Sequence, residues 1–272
     1  MKLKFAKIQG TGNDFIVINN LSGSFEKFSE SLPQEQVVRT LCSRRTGVGA
    51  DGLILIEDSE VANFKWRFFN SDGSTAEMCG NGMRCVARFA YEEGIAPERM
   101  TVETEAGIVE AEVRGRDVKV KLTPPSDLKL NLRVEGLTLH FINTGVPHAV
   151  VFVNRLKEVD VENVGRKIRF SELFSPKGTN VNFAEVQLNK VLLRTYERGV
   201  EGETLACGTG AVASALVAAK VFDLKSPVEV EVSTGERLKV YFDENLKDVY
   251  LEGPTTWVYN GELKKEVLGG KG

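Results

Sequence analysis

Residues 78–85 read MCGNGMRC, and residues 206–214 read ACGTGAVAS. In each, a cysteine (Cys79 or Cys207) is followed by G-x-G and then by a run that reads as a helix. A helix start leaves N–H groups unsatisfied and carries a partial positive charge. A thiol placed there loses its proton more readily, its pKa falling from about 8.5 to roughly 3.5–7.5 in favourable settings. Such a thiol serves as a base near neutral pH, and the N–H groups beside it suit a carboxylate. Gly80 and Gly208 let backbone come close to a ligand. Two thiols facing one α-carbon from opposite sides would take a proton from one face and return one to the other. The result is inversion of a stereocentre, with the charge that grows on the neighbouring carboxylate met by N–H donors already aimed at it. That scheme requires no cofactor, and none is expected.

The remaining residue types narrow the chemistry. The chain has only two histidines, His140 and His148, and no C-x-x-C or H-x-x-x-H spacing, so no metal site is expected. Four cysteines in a chain of this length do not make a disulfide framework. Cys42 and Cys85 lie inside helical patterns and read as small core residues. With 42% apolar and 27% charged residues the balance is that of a globular protein, and 272 residues suffice for two domains. A net charge of −3 with scattered Lys and Arg offers no basic stripe for nucleic acid. The opening MKLKFAKIQG lacks a signal-peptide core, and no apolar run approaches the roughly 20 residues of a membrane span. A cytoplasmic protein with no nucleic-acid or membrane partner is expected.

The elements that must position the cysteines occur twice. KLKFAKIQG and DFIVIN read as strands around a GTGN turn, PQEQVVRTLCSRR as a helix, and LILIE and FKWRFFN as strands. A loop leads to MCGNG and a helix closed by Gly94. After a Pro-containing break at 123–126 the order restarts. Thr11 and Thr144, Asn70 and Glu197, and Cys79 and Cys207 then recur in the same order at nearly constant spacing. The series argues for a tandem duplication and for two similar lobes related by a pseudo-two-fold axis, one over 1–125 and the other over 126–261. Asn13, Asn70, His148, Asn180, Glu197 and Arg198 read singly as turn or surface residues. They gain weight because they fall at the repeated landmarks, where loops from strand ends gather.

At these residues the chain resembles the diaminopimelate epimerase family. The resemblance rests on GTGNDFIVI, FFNSDGSTAEMCGNGMRC, GVPHAV, GTNVNF, YERGVEGETLACGTGA and EGPTTWVYNGE, in that order over nearly the whole chain. It implies an α/β (α+β) fold of two lobes, each a barrel-like, mostly antiparallel sheet around a central helix, with the tail 262–272 packing on the first lobe. It implies cofactor-independent interconversion of L,L- and meso-diaminopimelate for lysine and peptidoglycan precursor synthesis, in a homodimer. Cys79 and Cys207 are similar to the family's acid/base pair. Backbone at Gly80, Asn81, Gly208 and Thr209 would hold the reacting carboxylate. Asn13, Asn70, Asn180 and Arg198 would hold the distal carboxylate, Glu197 the distal ammonium, and His148 with Glu197 the reacting end. Two departures stand out: Val146 replaces an asparagine, and Gly52 a glutamine, found in other members. A two-thiol racemase of another amino acid such as proline, or a thiol redox protein pairing Cys79 with Cys207, are the alternatives.

Overall fold

Strand periodicity dominates the chain, and the protein follows it in a computed structural model that describes residues 2–30, 32–76 and 78–269. Two compact units form. One holds the described residues up to Val120 and from Pro254 onward, the other Lys121–Gly253.

The first unit opens with β1 (Lys2–Gly10) and β2 (Asn13–Asn19), joined by a two-residue turn. Thr11 and Gly12 both take positive φ there, the geometry that matches strand twist in a tight hairpin. Short α1 (Ser24–Ser29) and α2 (Gln34–Cys42) follow, then β3 (Gly52–Glu57) and β4 (Phe64–Asn70). β3 runs parallel to β2 and antiparallel to β4. Helix α3 (Gly80–Glu92) precedes a meander of β5 (Arg99–Thr104), β6 (Gly107–Arg114) and β7 (Asp117–Leu122), with β5 parallel to β4. The apolar run in β3 is explained by burial on both faces. Leu53 and Leu55 pack with Ile16, Ile18 and the residues of α1 and α2. Ile54 lies on the other face, toward α3, where a Cβ on Gly82 would sit 3.4 Å from its Cδ1.

The second unit repeats this plan. β8 (Ser126–Val134), β9 (Leu137–Asn143) and β10 (Pro147–Phe152) lead to α4 (Val161–Arg169). β11 (Asn180–Gln187) runs parallel to β10, and β12 (Lys190–Glu197) antiparallel to β11, as β3 and β4 do in the first unit. A short β13 (Gly202–Thr204) borders β12 before α5 (Gly208–Phe222). β14 (Val228–Glu231) pairs parallel with β12 and antiparallel with β15 (Arg237–Phe242), which pairs with β16 (Val249–Pro254). The last strand, β17 (Thr256–Lys264), returns to β1 and pairs along its length, from Gln9↔Thr256 to Lys2↔Lys264. It stands to β1 as β8 does to β9.

Each unit is thus a mostly antiparallel mixed sheet packed on one helix. α3 packs on β1, β2, β3 and β6, and α5 on β9 to β12, β14 and β15. α5 is apolar all round, as a helix surrounded by sheet must be. Ala211, Val212, Ala215, Leu216 and Val217 merge with Ile142, Val150, Ala184 and Leu238 into one buried cluster. Small alanines let strands approach closely from several sides. No helix among the described residues is long and apolar enough to cross a membrane.

Two packing details carry consequences. α4 lies so close to β12 that a Cβ on Gly165 would come within 2.6 Å of Tyr196 Cβ. In the first unit a charge cluster ties the first hairpin to the loop before β3. Lys7, nearly buried, pairs with Asp14 at 2.8 Å and donates to Gly49 O. Arg44 donates to both oxygens of Asp14, at 2.9 and 3.1 Å, and to Asp51 at 2.8 Å. Burial opposes ionisation of Asp14, but hydrogen bonds from Arg44 and Lys7 outweigh it and hold its pKa at about 2.

Gly165→Ala is expected to lower unfolding stability by about 1–3 kcal/mol through overpacking against Tyr196, read from the urea midpoint. Asp14 has a folded-state pKa below its usual 3.8, at about 2. Its contribution is therefore complete above the usual value and lost as pH falls toward the folded one. Over that window the wild type should lose more stability than Asp14→Asn, and parallel curves would contradict the assignment.

Candidate active site

The topology brings the sequence-identified residues to one end of each unit. Because β2 and β3 are parallel, their first residues share an edge, and antiparallel β4 returns its last residue there. Asn13 opens β2, Gly52 opens β3, and Asn70 closes β4 opposite Gly52. In the second unit His148 lies near the start of β10 beside Asn180 at the start of β11, and Glu197 closes β12. The helix start with its cysteine joins each edge.

In the first unit Cys79 is the N-cap of α3, in extended backbone, and its Sγ accepts from Gly82 N–H at 3.4 Å. Cys79 O takes the first intrahelical bond, from Met83 N–H at 2.8 Å. The N–H groups of Gly80 and Asn81 then have no acceptor within the helix. Asn81 is nearly buried and donates through Nδ2 to Asn13 Oδ1 at 2.6 Å. Its own Oδ1 is buried without a protein donor. Asn13 in turn donates to Asp51 Oδ2 at 3.2 Å, joining the charge cluster. Asn70 donates to Ser74 Oγ at 3.0 Å, so its side chain is held by the following loop. At Gly52 a Cβ would sit 2.7 Å from the Phe68 ring and from Phe69 O. A larger residue here would require those groups to move.

In the second unit Cys207 is the N-cap of α5 and is 8% exposed, while Cys79 is half-buried. Cys207 O accepts from Ala211 N–H at 2.9 Å, leaving the N–H groups of Gly208, Thr209 and Gly210 without an intrahelical acceptor. Cys207 Sγ and Thr209 Oγ1 share a hydrogen bond of 3.4 Å. Thr209 O accepts from Thr144 Oγ1 at 3.0 Å, which fixes the helix start to the β9–β10 turn. His148 is fully buried, with Nε2 3.0 Å from Thr209 Oγ1 and Nδ1 3.0 Å from Asn182 Nδ2. Burial, with Arg198 adding to it, pushes the His148 pKa down to about 3, so the ring is neutral. Asn180 is buried, and its Oδ1 accepts from Arg198 N–H at 2.8 Å. Arg198 donates to Lys177 O at 3.2 Å. Burial raises the pKa of Glu197.

Cys42 and Cys85 are both buried core residues. Burial pushes the Cys42 thiol up to about 12 and the Cys85 thiol further still, so neither ionises near neutral pH. Among the described residues, no group of three or more His, Cys, Asp or Glu side chains is arranged to hold a metal. Sequence reading missed Asp51, Asn182 and Thr195, whose hydroxyl donates to Asn182 Oδ1 at 3.0 Å. Asn182 had a usable signal: it lies two residues beyond Asn180, on the same face of one strand.

The arrangement offers two thiols at helix starts, N–H donors without an intrahelical acceptor beside each, and polar side chains near them. The sequence model of the family described as diaminopimelate epimerase matches residues 5–127 and 140–258. The diaminopimelate epimerase of Aquifex aeolicus is 52% identical, over 98% of this chain and 99% of its own. At the level of fold, a Bacillus anthracis phenazine biosynthesis protein of the PhzF family aligns with a TM-score of 0.72 at 17% identity, covering 97% of this chain and 99% of its own. A probable proline racemase from Agrobacterium radiobacter aligns with a TM-score of 0.67 at 16% identity, covering 96% and 93%. The full-length match of sequence and family model establishes that the chain belongs to the diaminopimelate epimerase family.

Proposed function

We propose that this protein interconverts L,L- and meso-diaminopimelate by proton exchange between Cys79 and Cys207, an isomerase serving lysine and peptidoglycan precursor synthesis. The observation that carries the reading is the pair of equivalent helix starts, each capped by a cysteine, in a chain of this family.

One cysteine, as thiolate, takes the α-proton, and the C–H electron pair moves into the neighbouring carboxylate. The other, as thiol, gives its proton to the opposite face of the α-carbon. The carbon is inverted, the two sulfurs have exchanged protonation states, and no proton is gained or lost. Backbone N–H groups of Gly80, Asn81, Gly208 and Thr209 receive the growing carboxylate charge, which is where fixed donors accelerate such a step most. Asn13, Asn70, Asn180 and Arg198 take the distal carboxylate and Glu197 the distal ammonium. The buried Asn81 Oδ1 lacks a protein donor and suits a substrate N–H group. His148 acts on the reacting end through Thr209, to which its Nε2 is bonded. A homodimeric, cytoplasmic enzyme belongs to the same proposal.

Chiral chromatography of L,L- and meso-diaminopimelate tests the proposal. Wild type is expected to equilibrate the two, with Cys79→Ala and Cys207→Ala each losing turnover by several orders of magnitude. Proline should not be racemised, because the site provides for a second charged end. Full activity in either variant, or proline turnover exceeding that of diaminopimelate, would sink it.

A further inference from the structure

The hydrogen bonds behind Cys207 have a direction, and Asn182 sets it. Its Nδ2 lies 3.1 Å from Ala149 O, which can only accept. Its Oδ1 accepts from the Thr195 hydroxyl at 3.0 Å. The amide therefore has one orientation. The second hydrogen of Nδ2 goes to His148 Nδ1 at 3.0 Å, so that ring nitrogen must accept. The ring proton then sits on Nε2, which donates to Thr209 Oγ1 at 3.0 Å. A hydroxyl that has accepted there turns its own hydrogen elsewhere, and Cys207 Sγ lies 3.4 Å away. In the opposite tautomer Nε2 would take the Thr209 hydrogen, and Sγ would lose that donor.

The first unit has no such chain at the equivalent positions. Phe15↔Gly52 and Ile54↔Phe68 in its sheet match His148↔Asn180 and Asn182↔Thr195 in the other. Phe15, Ile54 and Phe68 thus stand where His148, Asn182 and Thr195 stand. The two phenylalanine rings pack edge to face at 6.0 Å. The helix glycines agree: a Cβ on Gly82 would meet Ile54 Cδ1 at 3.4 Å, and one on Gly210 would come within 2.4 Å of Asn182 Oδ1. An apolar trio is the stable default for such a core site. A polar trio there must satisfy every donor and acceptor to avoid a penalty, which points to a chemical role.

We propose that Asn182 is a positioning residue: by holding His148 as the neutral Nε2–H tautomer, it directs the Thr209 hydroxyl hydrogen onto Cys207 Sγ and favours the thiolate there. This rests on the acid/base role given to Cys207 above. The duplicated halves would then hold their thiols differently, Cys79 through the Gly82 N–H and Cys207 through a relayed hydroxyl.

Long-range 1H–15N correlation on the full chain labelled with 15N-histidine reads the tautomer directly, with His140→Gln separating the two rings. At pH 7 His148 is expected to carry its proton on Nε2 with Nδ1 bare. A proton on Nδ1, alone or with Nε2, overturns the proposal. Alkylation by iodoacetamide, followed at each cysteine by peptide mass spectrometry, reads the thiolate. Asn182→Leu should slow reaction at Cys207 on the order of tenfold, the effect of a lost hydrogen bond to a charged group, with Cys79 unchanged. Thr209→Val should do the same. An unchanged Cys207 rate in Asn182→Leu, with native circular dichroism, overturns it. If that variant fails to fold, the wild-type spectrum decides. Neither readout uses substrate, so a failure of the epimerase reading shows separately, as wild type inert toward diaminopimelate with its tautomer and alkylation rates as expected.

Discussion

A helix start inside a sheet must do something with its N–H groups, and much of this structure follows from that constraint. Solvent normally satisfies the first four donors of a helix, or a side-chain cap does. In α3 the cap is a sulfur: Cys79 Sγ takes the Gly82 N–H. In α5 the cap position is Cys207, whose sulfur is bonded to the Thr209 hydroxyl instead. The donors left over at both helix starts make a ready cradle for a carboxylate. Strand order then does the rest, since parallel β2–β3 and β10–β11 bring strand starts to the edge where each helix begins.

Duplication and divergence are both visible in these units. Apart from the short β13, matched in the first unit only by the isolated Phe69↔Thr75 bridge, the strand pairings repeat, down to the parallel link from β4 to β5 and from β12 to β14. The side chains on that scaffold have separated. Behind one cysteine lie Phe15, Ile54 and Phe68, an apolar core. Behind the other lie His148, Asn182 and Thr195, a fully bonded polar core. A shared backbone with unlike interiors gives the two thiols different surroundings, as the proposed exchange between one thiolate and one thiol would require.

The repeat, the cysteine-headed helices and the strands beside them were legible in sequence because rare residues mark them. Two cysteines followed by G-x-G fix a frame that glycine turns alone would not. Cys42 and Cys85 were legible as core for the opposite reason: each sits within a helical pattern, and each is buried. The helix read through PQEQVVRTLCSRR stops at Cys42, because Ser43 turns extended and the loop folds back so that Gly47 N–H bonds Ser43 O. Residues 254–261 continue the second half in sequence, yet β17 pairs with β1, a partner at the far end of the chain that no local pattern reveals. The Asn182 relay escaped notice because an asparagine in an apolar strand shows its purpose only when the atoms it faces are known.

The central claim is that two different groups handle the proton on the two faces of one carbon. The direct measurement is epimerisation of L,L-diaminopimelate in D2O, stopped at low conversion, with deuterium at the α-carbon counted separately in product and in recovered substrate. Two thiols predict product that carries solvent deuterium and recovered substrate that carries almost none, because the thiol that returns a proton is not the one that took it. Equal labelling of recovered substrate and product would mean that a single group serves both faces, and would contradict the account.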